Sequence, residues 1–224
     1  MSIAHPTRDA SATEQARSGQ AVDHARPGLD PFQAIGRAGV PLAAGGAAIA
    51  LVAGATHGFG ADDESMVGHI HIALGHALPI VTFTLMIGLI VALVARAGSR
   101  CTRTQLAGSA VAVVGLVLWS AVSAIHSLGY YAVAKIDPLV ATRLGKASAQ
   151  ALVGAVFAAS VLLMLIGLIS ALGSAARRGL VPGVAVALIV LGTLGSFFAG
   201  PVGDGLLAIG LGWAAVRLAG TAAA

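Results

Sequence analysis

Histidine is the residue with the most chemistry to offer in this sequence. Five of the seven, His57, His69, His71, His76 and His126, fall between positions 57 and 126, with Asp62, Asp63 and Glu64 among them. Imidazole nitrogen suits Cu, Zn, Ni or Fe, carboxylates add oxygen ligands, and haem iron accepts an imidazole from a helix. Spacing decides which of them can cooperate. On a helix His69 and His76, seven apart, share a face, whereas His71 is turned from His69 by roughly 200°. His76 also lies roughly 10 Å along the axis from His69, too far for both to hold one small ion. A mononuclear site must therefore combine helices, drawing on His57, His69 or His71, and His126, with Asp62, Asp63 or Glu64 as oxygen ligands. The cofactor candidates are His69, His71, His76 and His126. His76, inside the apolar run from Ile72 to Leu78, is the hardest to explain as a surface residue, because ionisable groups in a membrane are costly and mark function.

The elements that must position these residues are bilayer-spanning helices. Of the 224 residues 57% are hydrophobic and 10% charged, and no charged residue occurs between Arg103 and Lys135, between Lys146 and Arg177, or between Arg178 and Asp204. A helix needs roughly 20 apolar residues to cross a core about 30 Å thick. A barrel would alternate apolar and polar positions, and nothing here alternates. The expected fold is all-α, a polytopic membrane helix bundle of six spans at about 38–56, 66–95, 106–125, 148–172, 180–199 and 205–217. The last is the shortest, so five spans, or a re-entrant final hairpin, are alternatives. Residues 1–36, mixing Ser, Thr, Gln, Ala and both signs of charge, have the composition of a disordered tail, cytoplasmic in the orientation below. No apolar signal-peptide region follows the start. Residues 37–219 make up the transmembrane domain. The segment from Leu128 to Ala147, with Tyr130, Tyr131, Lys135, Asp137, Pro138, Arg143 and Lys146, suits a surface helix or ordered loop at the interface. Pro79 should kink the second span.

Charge sets the orientation. With both termini inside (N-in/C-in), ten of thirteen basic residues are cytoplasmic: Arg8, Arg17, Arg26, Arg37, Arg96, Arg100, Arg103, Arg177, Arg178 and Arg217. Only Lys135, Arg143 and Lys146 lie outside, and the basic short loops oppose the acidic Asp62–Glu64 loop. The location expected is a bacterial inner membrane, with lipid as the obligatory partner. The net charge of +4 then reflects topology, since no basic cluster is interleaved with aromatics as nucleic-acid binding requires. The lone Cys101 sits in a cytoplasmic loop and implies no disulfide. Glycines at or near helical spacing, Gly54 with Gly58, Gly192 with Gly195 and Gly210 with Gly212, permit the close helix contact that lipid surroundings demand. The same faces could dock a second copy or a partner subunit. Asp204, in the short turn before the last span, reads first as a helix cap and second as a group facing the histidines.

The segment Gly68-His69-Ile70-His71-Ile72-Ala73-Leu74-Gly75-His76, followed by an apolar span ending in Gly88-Leu89, resembles the start of a spanning helix in small membrane proteins related to haem-copper oxidase subunit I. The resemblance covers about thirty residues. It implies a haem-associated or redox bundle with His69 or His71 as ligands, although the fourth span carries Gln150 and Ser160 where those proteins offer further histidines. The rest of the chain resembles uncharacterised six-span bacterial membrane proteins. No Walker loop, zincin helix, Gly-x-Ser-x-Gly elbow, thiol pair or internal repeat is present, so no enzyme class is assigned. Three readings stand: a histidine-lined outer site binding a transition metal (Cu, Zn or Fe) or haem for redox work, sensing or metal handling; an accessory or scaffold subunit without ligand; and a proton- or cation-coupled carrier in which His76 titrates.

Overall fold

The computed structural model describes residues 30–57, 70–125, 129–148 and 151–221; of residues 57, 70–73, 76, 130, 144–148 and 151–153 it describes the backbone alone. The chain divides into Met1–Asp30 and Pro31–Ala224, and the architecture below belongs to the second unit. No strand occurs among the described residues. A short helix α1 (Pro31–Arg37) leads into α2 (Gly39–His57), so the first helix begins inside the stretch whose composition reads as tail. The 28-residue α3 (Ile70–Ala97) carries Pro79 in its interior. A single 3₁₀ turn, Gly98–Arg100, leads to α4 (Arg103–Ala124), which Thr102 caps by accepting a hydrogen bond from Gln105 N at 3.1 Å. Two short helices, α5 (Tyr130–Ile136) and α6 (Pro138–Ser148), come next. They are followed by α7 (Ala151–Arg177), α8 (Gly183–Phe198) and α9 (Pro201–Gly220).

Among the described residues five helices are long and apolar enough to cross a bilayer: α1 with α2 (Pro31–Thr56), Ala77–Arg100, α4, Gly154–Arg177 and α9. The chain is therefore an α-helical, multi-pass membrane protein in contact with lipid. The short apolar helix is the fifth and not the last. At 16 residues α8 rises about 24 Å, whereas α9 reaches 20 residues because helix resumes at Pro201, two residues after α8 ends. Pro at the first helical position costs no hydrogen bond, since that amide is unpaired anyway. Gly200 makes the abrupt reversal with φ near +40°, a region other residues rarely enter. Polar Asp204 next to this turn makes the start of α9 look like loop in the sequence, and burial of the carboxylate extends the helix through it.

The six long helices form a closed circuit of neighbours: α2 packs on α3, α3 on α4, α4 on α7, α7 on α8, α8 on α9, and α9 back on α2. The core is aliphatic, with Phe83, Leu89, Ile90, Leu116, Met164, Leu168, Ile189, Leu207 and Leu211 almost fully enclosed. Glycine brings the backbones together. A Cβ on Gly115 would meet Met164 N and Cα, one on Gly167 would meet Ala112 N, and one on Gly108 would lie 2.5 Å from Ser170 Cβ. These positions zip α4 to α7. Gly192, Gly195, Gly203 and Gly210 do the same for α8 and α9, Gly203 fitting against Gly195 and Ser196 N. Of the pairs expected from spacing, Gly54, Gly192, Gly195 and Gly210 lie at tight contacts, Gly212 has only Ala47 Cβ at 3.9 Å, and Gly58 is outside the described residues. By contrast α5 and α6 pack mainly on one another. They expose Ile136 and Leu139 by 86% and 73%, and Lys135 lies 5.4 Å above the Tyr131 ring.

Gly167→Ala should destabilise the bundle by about 1–3 kcal/mol, the usual cost of overpacking. Gly173→Ala, where a Cβ meets nothing within 4 Å, should be neutral or slightly stabilising. Thermal unfolding of the two variants in one detergent checks the difference.

Candidate functional site

The helix ends sort by charge. Where α1 leads into α2, and where α3 and α7 end, α4 begins and α9 ends, stand Arg37, Arg96, Arg100, Arg103, Arg177, Arg178 and Arg217. Several are held: Arg178 Nη1 donates to the buried Gln105 Oε1, Arg177 Nη2 donates to Ser174 Oγ at 3.1 Å, and Arg96 Nη2 donates to Thr221 Oγ1 at 2.8 Å. The opposite end, where α2, α4 and α8 finish and α3, α7 and α9 start, carries the groups with chemistry to offer.

At that end Asp204 is the central finding. It occupies the fourth position of α9, and the residue preceding the helix, Gly200, supplies no side-chain cap. The carboxylate is 1% exposed and is turned across to α8, where Ser196 Oγ donates to Oδ1 at 2.7 Å while lying 2.9 Å from Gly192 O. The helix-cap reading therefore gives way to a buried acid bridging two helices. An acid in the first turn also favours the positive end of the helix dipole. Helix α2 closes over it: a Cβ on Gly54 would lie 3.2 Å from Asp204 Cβ and 3.3 Å from Pro201 O. Glycine at 54 is what lets α2 approach.

Helix register puts further groups at this level. Gly39 packs against Ala92 and Gly46 against Leu85, an antiparallel pairing of α2 with α3 that, continued along both helices, sets the backbone of His76 level with Gly54 to within a turn. His57 ends α2 one turn beyond Gly54, and His71 lies in the first turn of α3. So the backbones of His57, His71 and His76 approach the same end of the bundle as Asp204. His69, His126, Asp62, Asp63 and Glu64 lie outside the described residues, as do all the histidine side chains. Among the described residues no group of three or more His, Cys, Asp or Glu could hold a metal ion.

Hydroxyls line the interior near this level. Thr193 and Thr82 are fully buried, and their Oγ1 atoms, like Ser120 Oγ, have no hydrogen-bond partner. Ser160, also fully buried, bonds Phe157 O at 2.7 Å. Buried hydroxyls are normally satisfied; these three are not, and neither is Ser109 Oγ near the start of α4. Trp119 meets Phe197 and Phe157 edge-on, with centroids 4.0 and 4.8 Å apart. Ser196, Thr193, Thr82 and Ser120 had no sequence signal, since isolated Ser and Thr in an apolar run are indistinguishable from residues bonding their own helix, as Thr84 does to Ile80 O at 2.8 Å.

Fold and site together define a multi-pass α-helical membrane protein with a buried carboxylate near one end of its bundle. Comparison with protein-family models, with curated proteins and with solved structures gives no match.

Ser196→Ala removes a donor from an enclosed carboxylate and should cost about 1–3 kcal/mol. Thr84→Ala, at an exposed site, should stay within about 0.5 kcal/mol of wild type. Equal unfolding temperatures for the two variants would show that the Ser196–Asp204 pair contributes nothing.

Proposed function

We propose that this chain is a six-span inner-membrane bundle with both termini cytoplasmic, and that its outer end binds a transition-metal ion through imidazoles together with Asp204. The observation that carries the reading is the enclosure of Asp204 within α9, at the level of the His76 backbone and one turn from His57. A carboxylate at membrane depth is costly and finds its purpose in a cation or a pathway. Mixed nitrogen and oxygen donors suit Zn, Fe or Cu. Ser196 would hold the carboxylate in place as an outer-shell partner. His69, His71 and His126 with Asp62, Asp63 and Glu64 complete the pool of ligands. The arginine-rich end supports the orientation, because cytoplasmic loops are the ones enriched in Lys and Arg.

The same enclosed carboxylate favours a second reading, a proton- or cation-coupled carrier. Such a carrier calls for an intramembrane acid, and Asp204 supplies one. The buried, unpartnered hydroxyls of Thr82, Thr193 and Ser120 are the kind of groups that would line such a path.

Metal analysis and a visible spectrum of the detergent-purified protein separate these. Stoichiometric Zn, Cu or Fe, with affinity lowered at least tenfold in His76→Ala and Asp204→Asn and about tenfold in Ser196→Ala, is the expected result. A Soret band would replace the bare ion by haem. A folded, colourless, metal-free protein whose reconstituted vesicles move protons or cations, and stop doing so in Asp204→Asn, would favour the carrier.

A further inference from the structure

At the arginine-rich end, α1 lies across α3 and leaves a groove of about 220 Å³ between them, lined by Phe32, Gln33, Gly36 and Arg37 of α1 and by Ala95 and Arg96 of α3. One water occupies about 30 Å³ of liquid, so the groove has room for a chemical group and not merely for solvent bridging. Gly36 sets its floor, since a Cβ there would stand 3.4 Å from Arg96 N and Cα.

Neither guanidinium meets an anion among the described residues. Arg37 makes no hydrogen bond or ion pair among the described residues, and the polar contact of Arg96 is the single bond from Nη2 to Thr221 Oγ1. Its Nη1 is covered by protein without any acceptor. A cationic group in this condition is costly, and charge-assisted hydrogen bonds to an oxyanion recover the most. The surroundings specify the oxyanion. Phe32 and Ile35, exposed by 66% and 42%, stand on the same short helix as Arg37. Helix α1 itself belongs to a bilayer-length segment, Pro31–Thr56. A ligand here meets two guanidiniums, an amide from Gln33 and the apolar ring of Phe32.

We propose that this groove binds the phosphate group of an anionic phospholipid, with Arg37 and Arg96 as the cationic donors and Phe32 and Ile35 against the first methylenes of the chains. The planar fork of arginine matches phosphate oxygens, and basic pockets between helices are the form that headgroup sites take. This is independent of the metal site at the other end.

Native mass spectrometry of the full chain, released from micelles holding equal phosphatidylglycerol and phosphatidylcholine of identical chains, tests it. Wild type should retain phosphatidylglycerol preferentially. Arg37→Gln, which alters an exposed side chain and leaves the Arg96–Thr221 bond in place, should lower that preference about fivefold, the factor one basic residue carries at an anionic surface. The double variant R37Q/R96Q should lose it, and R100Q/R103Q should stay within about twofold of wild type. An unchanged preference in Arg37→Gln, an equal fall in R100Q/R103Q, or displacement of the lipid by equimolar inorganic phosphate would each overturn the proposal, the last by making free phosphate the ligand.

Discussion

Helices already surrounded by hydrocarbon gain little from burying apolar side chains against each other, so what joins them must come from dispersion at short range and from polar contacts. Here that role falls to glycine. Gly108, Gly115 and Gly167 bring α4 and α7 to backbone contact, and Gly192, Gly203 and Gly210 do so for α8 and α9. Two rigid pairs result. The third pair, α2 with α3, meets α9 through Gly46 and Gly54 and completes the circuit. The position of Asp204 follows from these contacts: only with α8 at backbone distance can Ser196 reach it, and only with glycine at 54 can α2 cover it.

A bundle built this way keeps its polar groups apart. At one end the arginines find Gln105, Ser174 and Thr221 or remain open to anions. At the other the enclosed carboxylate of Asp204 is bonded to Ser196. Between them the interior is aliphatic. The two ends carry different groups, a buried carboxylate at one and arginines at the other, and a substitution at either should leave the other intact because several turns of close-packed helix lie between.

Much of the fold was legible in the sequence because composition answers directly to the bilayer. Charge-free runs located the long helices within a few residues, and Pro79 was visible inside α3. The segment expected as a surface helix or ordered loop holds the two short helices α5 and α6. The tail boundary and the relative lengths of the last two helices were not legible. Pro31 and Pro201 each start a helix in a polar context, and hydropathy cannot distinguish a polar residue in a loop from one buried in a first turn. For the same reason Asp204 read as a cap. Its burial depends on Gly54, 150 positions away, and on Ser196, neither of which carries chemistry of its own. The histidines were conspicuous by type, and what the structure adds is a helical level for His57, His71 and His76. The glycine contacts were partly legible, since spacing found Gly192, Gly195 and Gly210 but passed over Gly115, Gly167 and Gly203.

The circuit closes between α2 and α9, the first and the last long helices of the chain. During synthesis α2 enters the membrane with α3 as its companion and with its other flank bare, and it stays so until the ribosome has released some 160 further residues. Its glycine-bearing face, Gly46 and Gly54, is presented to lipid or to whatever escorts newly inserted helices for that whole interval. A truncation that removes α9 should therefore undo the contacts of Gly46 and Gly54 on α2.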